Sequence, residues 1–116
     1  MDAFVCDAIR TPGGRYGGQL SSVRAEDLAA LPITASMQRH PDIDWSRLDK
    51  VVYGAAHQAF EDNRNVARRM AFLAGLPLRV PGVMVNRLCA LGMDAVGMAA
   101  GGSTRRPYAQ AEWARP

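Results

Sequence analysis

Cysteine is scarce in this sequence. It occurs twice in 116 residues, as Cys6 and Cys89, which is too few for a disulfide framework, and both read as reduced intracellular thiols. No apolar stretch approaches the ~20 residues needed to cross a bilayer, so neither a membrane span nor a membrane partner is expected. The opening MDAFVCDAIR has an acid at position 2 and no run of signal-peptide length, which places the expected compartment in the cytosol. Lysine occurs once, at Lys50, against thirteen arginines. With nineteen alanines beside them, this reads as the imprint of a GC-rich coding sequence rather than as a binding device.

A basic face is also missing. The formal charge is +3, but residues 103–116 hold Arg105, Arg106 and Arg115 against Glu112, which accounts for +2 of it. Elsewhere arginine and aspartate are interleaved, the mark of a solvated mixed surface, and no nucleic-acid partner is expected. What remains is a soluble globular composition, 48% hydrophobic and 22% charged. Taken alone, the length fits one small domain with a core of its own.

Along the chain, residues 3–9, AFVCDAI, form a nearly continuous apolar run, as in a strand covered on both faces. RTPGGRYGG at 10–18 is a loop by composition. Residues 25–39 place Leu28, Leu31, Ala35 and Met37 near helical spacing, with Pro32 expected to kink or restart the helix. Trp45 and Leu48 anchor a polar connection to a second strand, VVYG at 51–54. After a loop at 55–63 containing Glu61 and Asp62, either Asn63 or Asn65 caps a helix NVARRMAFLAG with Val66, Met70, Leu73 and Ala74 on its apolar face. Gly75 followed by Pro77 ends it. VPGVMVNRL brings a third strand at about 82–87, and a helix runs from about Cys89 to Ala100. The alternation predicts an α/β chain with parallel pairing. The last fourteen residues, from Ser103 on, show neither period and read as a tail.

The chemistry concentrates in the segment from Val85 to Gly97, which opens Val85-Asn86-Arg87-Leu88-Cys89-Ala90-Leu91-Gly92-Met93. A cysteine at the junction of a strand and a helix start meets free backbone N–H groups and the positive helix end. Nucleophilic cysteines in such places have pKa values lowered to about 3.5–7.5, and a thiolate there attacks a thioester carbonyl and holds the acyl group. Against this stands the commoner fate of a single cysteine, inert burial in a core. Cys6, inside the expected first strand, takes that reading. The helix after Cys89 is rich in Gly92, Ala95, Gly97, Ala99 and Ala100, which suits a helix buried in the middle of a layered protein.

RTPGGRYGG also invites comparison with a phosphate-binding loop. Such a loop needs a lysine and a hydroxyl after its last glycine, and here Gln19-Leu20 comes next, so a tight turn is the better reading. Arg10 and Arg15 are read as surface salt-bridge or subunit-contact residues, Arg68-Arg69 as a solvated helix face, and Met70, Phe72 and Leu73 as core. Asn86 and Arg87 flank the cysteine, as orienting residues or as hydrogen-bonding or subunit-contact residues.

Several of these motifs, in this order and spacing, make the chain similar to the N-terminal part of the thiolases, acyl-CoA acyltransferases. They are CDAIRTPGGRYGG, AEDL, VVYG, EDNRNVARRMA and above all VNRLCALGMDAVG. Together EDNRNVAR and CDAIRTP most resemble the branch acting on 3-oxoadipyl-CoA, with the acetoacetyl-CoA branch close. The resemblance implies an incomplete N-terminal half of a layered α-β-α-β-α fold, mainly parallel, with helices on both faces. It covers residues 1–102 as a truncated domain. It implies Cys89 as the acyl-accepting nucleophile, whose N–H also helps form an oxyanion hole. By the same resemblance the substrates are an acyl-CoA and coenzyme A, no metal or redox cofactor is required, and the full-length family forms homo-oligomers.

The departures are specific. Leu91 stands where serine or glycine is usual and crowds the site, Phe60 replaces a glycine before EDNRN, and Ala55-Ala56-His57 replaces Cys-Ala-Asn. Residues 103–116 do not match the family's continuation and are read as a basic tail from a frameshift. The family's activating histidine, its second cysteine in Cys-x-Gly-Gly-Gly and its Asn-Glu-Ala-Phe motif are absent, and His40 and His57 match neither role. The alternative to a thiolase is therefore a catalytically dead fragment or subunit-interaction piece.

Overall fold

The computed structural model describes residues 2–57 and 64–104. Its regular elements are helix α1 (Ala25–Arg39), strand β1 (Val51–Gly54), helix α2 (Val66–Leu73), strand β2 (Gly82–Val85) and helix α3 (Leu91–Thr104), with 3-10 turns at Trp45–Arg47 and Leu88–Ala90. The strands pair in parallel, with Val51 opposite Gly82 and Gly54 opposite Val85. That pairing needs a crossover, and α2 supplies it.

Successive strand residues face opposite ways, and their contacts separate the layers. Val51, Tyr53 and Met84 pack on a core of Ala29 and Ala30 from α1 and Val66, Ala67 and Met70 from α2. Val52 instead shares a cleft with Ala95, Val96 and Ala99 of α3. Helices therefore cover both faces of a parallel sheet, as expected for the fold class.

Helices α1 and α2 each start for a local reason. Glu26 and Asp27 place negative charge in the first turn of α1. Asn65, one of the two candidates, caps α2: its Oδ1 accepts from the Arg68 N–H at 3.0 Å while its Nδ2 donates to the Gly82 carbonyl at 2.7 Å. Asn63, Glu61, Asp62 and Phe60 lie outside the described residues. Gly75, with φ at +84°, ends the turn after α2. A methyl on Gly82 would lie 2.6 Å from the Ala67 carbonyl carbon, so glycine is what lets α2 cross the start of β2 this closely.

Several expectations are corrected. The run 3–9 is not a strand: among the described residues the sheet has two strands, and Phe4 and Val5 are 81% and 82% exposed. The segment has strand composition but no ladder partner. Its Ala3, Phe4 and Val5 line a cleft together with Ala95, Val96 and Ala99 of α3, and Asp7 is clasped by Arg39 (3.2 Å) and His40 (2.9 Å) at the end of α1. Cys6 is consequently exposed, not core. Helix α1 runs through Pro32 without restarting, and its buried side is Glu26, Ala29 and Ala30, with Leu31 outside. Trp45 is an anchor as expected, its Nε1 donating to the His40 carbonyl at 3.2 Å.

The arginine pair is no solvated face either. Arg69 and Arg24 both pair with Glu26, which is only 2% exposed, Arg24 at 2.6 Å. Arg68 donates to the Val80 and Leu78 carbonyls and lies over the Phe72 ring at 4.0 Å. Phe72 and Leu73 are exposed, because the short α2 gives its inner face to Val66, Ala67, Met70 and Ala71. Helix α3, whose small residues suit the middle of a layered protein, buries only Ala95 against the elements described. It forms the outer layer here, leaving Met93, Val96 and Met98 exposed. It also continues through Ser103 and Thr104, whose hydroxyls donate to the Ala99 and Gly101 carbonyls, both at 3.0 Å. Residues 105–116, most of the expected tail, lie outside the described residues.

Candidate active site at the end of the second strand

The parallel strands end side by side at Gly54 and Val85, and the carboxyl ends of such strands are where α/β sheets place ligands. The two loops leaving them are tied together. Ala55 N–H donates to the Val85 carbonyl at 3.0 Å, and Asn86 Nδ2 donates to the Ala56 carbonyl at 2.8 Å. Asn86 Oδ1 also accepts from the Leu88 N–H at 3.2 Å. The two partners fix the amide's orientation, since one end must donate and the other accept.

Leu88 has φ at +47°, the one non-glycine residue with positive φ among those described. For a leucine this left-handed conformation costs about 1–2 kcal/mol, and strain of this kind collects at functional sites. Immediately after it comes Cys89, exposed, inside the 3-10 turn Leu88–Ala90 that leads into α3. The expected strand-to-helix junction is present, with Cys89 in the 3-10 turn ahead of the α-helix. The Ala90 N–H donates to the Arg87 carbonyl at 3.1 Å and the Leu91 N–H to that of Leu88. Among the described residues the Cys89 N–H has no protein acceptor, so it is open to an incoming oxygen.

Two further contacts hold the turn. Arg87 reaches forward to Asp94 in the first turn of α3, at 3.1 Å, where an acid also suits the positive helix end. On the sheet side, a methyl on Gly54 would lie 2.6 Å from both the carbonyl carbon and the oxygen of Leu91, and 2.6 Å from its Cδ1. Leu91 is half-buried with its side chain on Gly54, so the bulk expected to crowd the cysteine packs on the end of β1. His40 serves the Asp7 clasp, and His57 is exposed beyond β1. Among the described residues no three His, Cys, Asp or Glu side chains gather to hold a metal ion, and no helix is long and apolar enough to cross a membrane.

The sequence singles out Cys89 and names Asn86 beside it. It does not reveal the positive φ of Leu88, which a leucine never advertises, or the role of Gly54, where the close approach comes from a residue 37 positions away. The only signal for Gly54 is a glycine ending an otherwise β-branched and aromatic strand.

The family model for the N-terminal domain of thiolases matches residues 3–103. The chain belongs to the thiolase family. It is 63% identical over 98 residues to a beta-ketoadipyl-CoA thiolase of Pseudomonas aeruginosa, covering 84% of this chain and 24% of that protein. It is 59% identical over 99 residues to a 3-oxoadipyl-CoA/3-oxo-5,6-dehydrosuberyl-CoA thiolase of Escherichia coli, covering 85% of this chain and 25% of the relative. A 3-ketoacyl-CoA thiolase of Aeromonas salmonicida is 42% identical over 96 residues, 82% of this chain and 25% of its own. The chain thus spans about a quarter of the length of the curated thiolases it matches. Identity is higher to the two ketoadipyl-type thiolases than to the 3-ketoacyl-CoA thiolase, in line with the branch the motifs resemble.

Proposed function

We propose that this chain carries the nucleophile of a thiolase acting on a 3-oxoacyl-CoA such as 3-oxoadipyl-CoA, with Cys89 as acyl acceptor. The thiolate Sγ adds to the C3 carbonyl, and the oxyanion is met by the open Cys89 N–H. As the carbonyl reforms, the C2–C3 bond breaks, C2 takes a proton and acetyl-CoA leaves. The acyl group stays on Sγ as a thioester. Attack by the thiolate of coenzyme A then frees Cys89 and forms the shortened acyl-CoA. The same steps reversed make a Claisen condensation, in which Sγ first attacks a thioester carbonyl. No further cofactor is required, and the cytosol is the proposed compartment.

The observation that carries this reading is the exposed cysteine in a strained turn between a strand end and α3, in a thiolase-family sequence. Solvent water gives C2 its proton, but the coenzyme A thiol needs a base before it can attack, and neither His40 nor His57 stands beside Cys89 in any contact described. The isolated chain is therefore proposed to accept an acyl group without turning over, which favours the reading as a thiolase fragment inactive on its own.

Limited iodoacetamide treatment and then peptide mass mapping tests the assignment. Both cysteines are exposed, so access alone does not rank them. Cys89 is expected to alkylate ahead of Cys6; equal labelling, or labelling of Cys6 first, overturns it.

A further inference from the structure

We propose that Asn86 is a positioning residue: it holds Leu88 in the left-handed conformation and thereby sets Cys89 at the mouth of the two strand ends. The proposal rests on the reading of Cys89 as acyl acceptor and adds the device that aims it. Leu88 is an exposed leucine with no polar group to stabilise a positive φ by itself. Its N–H is held by Asn86 Oδ1, while the other end of that amide is fastened to the Ala56 carbonyl of the neighbouring loop. The loop is anchored in turn by the Ala55 N–H on Val85. The strained turn is thus pinned to the end of β1 as well as to its own strand.

The chemistry of the two partners restricts the residue. One demands an acceptor and the other a donor, both within reach of a short side chain, and an asparagine amide meets both. Aspartate keeps the acceptor toward Leu88 and sets an oxygen against the Ala56 carbonyl. Alanine keeps neither. Asn65 makes the same double attachment at the other end of β2, joining the α2 N-terminus to the Gly82 carbonyl. Each end of β2 therefore has an asparagine fixing the chain that adjoins it.

The test uses the complete chain and two readouts. In labelled protein, the strong intraresidue amide-to-Hα Overhauser effect of a left-handed residue is expected at Leu88, retained in Asn86→Asp and lost in Asn86→Ala. In Asn86→Ala the Cys89-to-Cys6 alkylation ratio is expected to fall about tenfold, the rate equivalent of the hydrogen bonds lost. Adding Leu88→Gly supplies a residue that takes positive φ without strain, so the double variant is expected to recover the ratio relative to Asn86→Ala. A residue with only a general structural role would not be rescued by a further glycine. An unchanged Overhauser effect at Leu88 in Asn86→Ala, or a double variant no faster than Asn86→Ala, overturns the positioning role while leaving Cys89 as nucleophile. Wild-type Cys89 labelling no faster than Cys6 overturns the functional reading, and the positioning role with it.

Discussion

Gly54 and Leu91 meet backbone to backbone: a methyl group on Gly54 would lie 2.6 Å from the Leu91 carbonyl oxygen. The end of β1 and the start of α3 are seated together only because residue 54 has no side chain. A Gly54→Ala chain is expected to lose about 1–3 kcal/mol of stability, the usual cost of overpacking a tight contact, read by urea unfolding. The start of α3 must shift with it, so Cys89 alkylation is expected to slow as well. A variant as stable as the parent, with an unaltered labelling rate, would show that this contact does not seat the turn.

Glu26 is a buried carboxylate between two arginines, with no hydrogen-bond partner for Oε2 among the described residues. Its own backbone N–H, and after it the charges of Arg24 and Arg69, holds its pKa below the ordinary glutamate value, against the opposing effect of burial. A folded-state pKa below the unfolded one gives stability that is complete above the unfolded value and lost as pH falls through the folded one. Glu26→Gln is expected to cost about 1–3 kcal/mol at neutral pH. The larger loss from breaking a fully buried pair does not apply, since Arg69 is 34% exposed and can turn to water. Melting measured from pH 7 downward is expected to show a shallower acid limb in the variant; parallel limbs would contradict the assignment.

Asp7 joins the unpaired N-terminal segment to the end of α1. The hydrogen bond with His40, then that from the Ala8 N–H, holds its pKa below the ordinary aspartate value, with the Arg39 charge adding to the effect. By the same sign, the clasp is complete at neutral pH and released on acidification through that lowered value. In His40→Ala the Asp7 carboxyl is expected to titrate closer to an ordinary aspartate, monitored by carbon NMR. Asp7→Asn is expected to speed tryptic cleavage after Arg10 several-fold at neutral pH. An Asp7 titration indifferent to His40 would rule out the clasp.

The parallel α/β order was legible in the sequence because β1, α2 and β2 carry their own signals: a short apolar run, an asparagine cap, a glycine stop. The place of Cys89 between a strand end and a helix was legible for the same reason, since a strand end, a cysteine and a helix of small residues succeed one another directly. The segment 3–9 was misread because composition reports what a strand would bury and not whether a ladder partner lies beside it. Arg69 was misread because 43 residues separate it from the Glu26 charge it meets, and alone it resembles part of a solvated helix face. Leu88 was unreadable: its conformation is imposed by the side chain of Asn86, which is itself tied to the Ala56 carbonyl thirty residues before it.

Acyl transfer to Cys89 is the step on which the functional reading stands. Incubating the chain with 3-oxoadipyl-CoA and mapping the adduct by peptide mass spectrometry, with Cys89→Ser as control, measures it without intermediaries. A hydroxylamine-labile acyl group is expected on the Cys89 peptide and absent from the control, with no sustained release of acetyl-CoA on adding coenzyme A. An adduct on Cys6, or one that persists in Cys89→Ser, would refute Cys89 as the acyl acceptor.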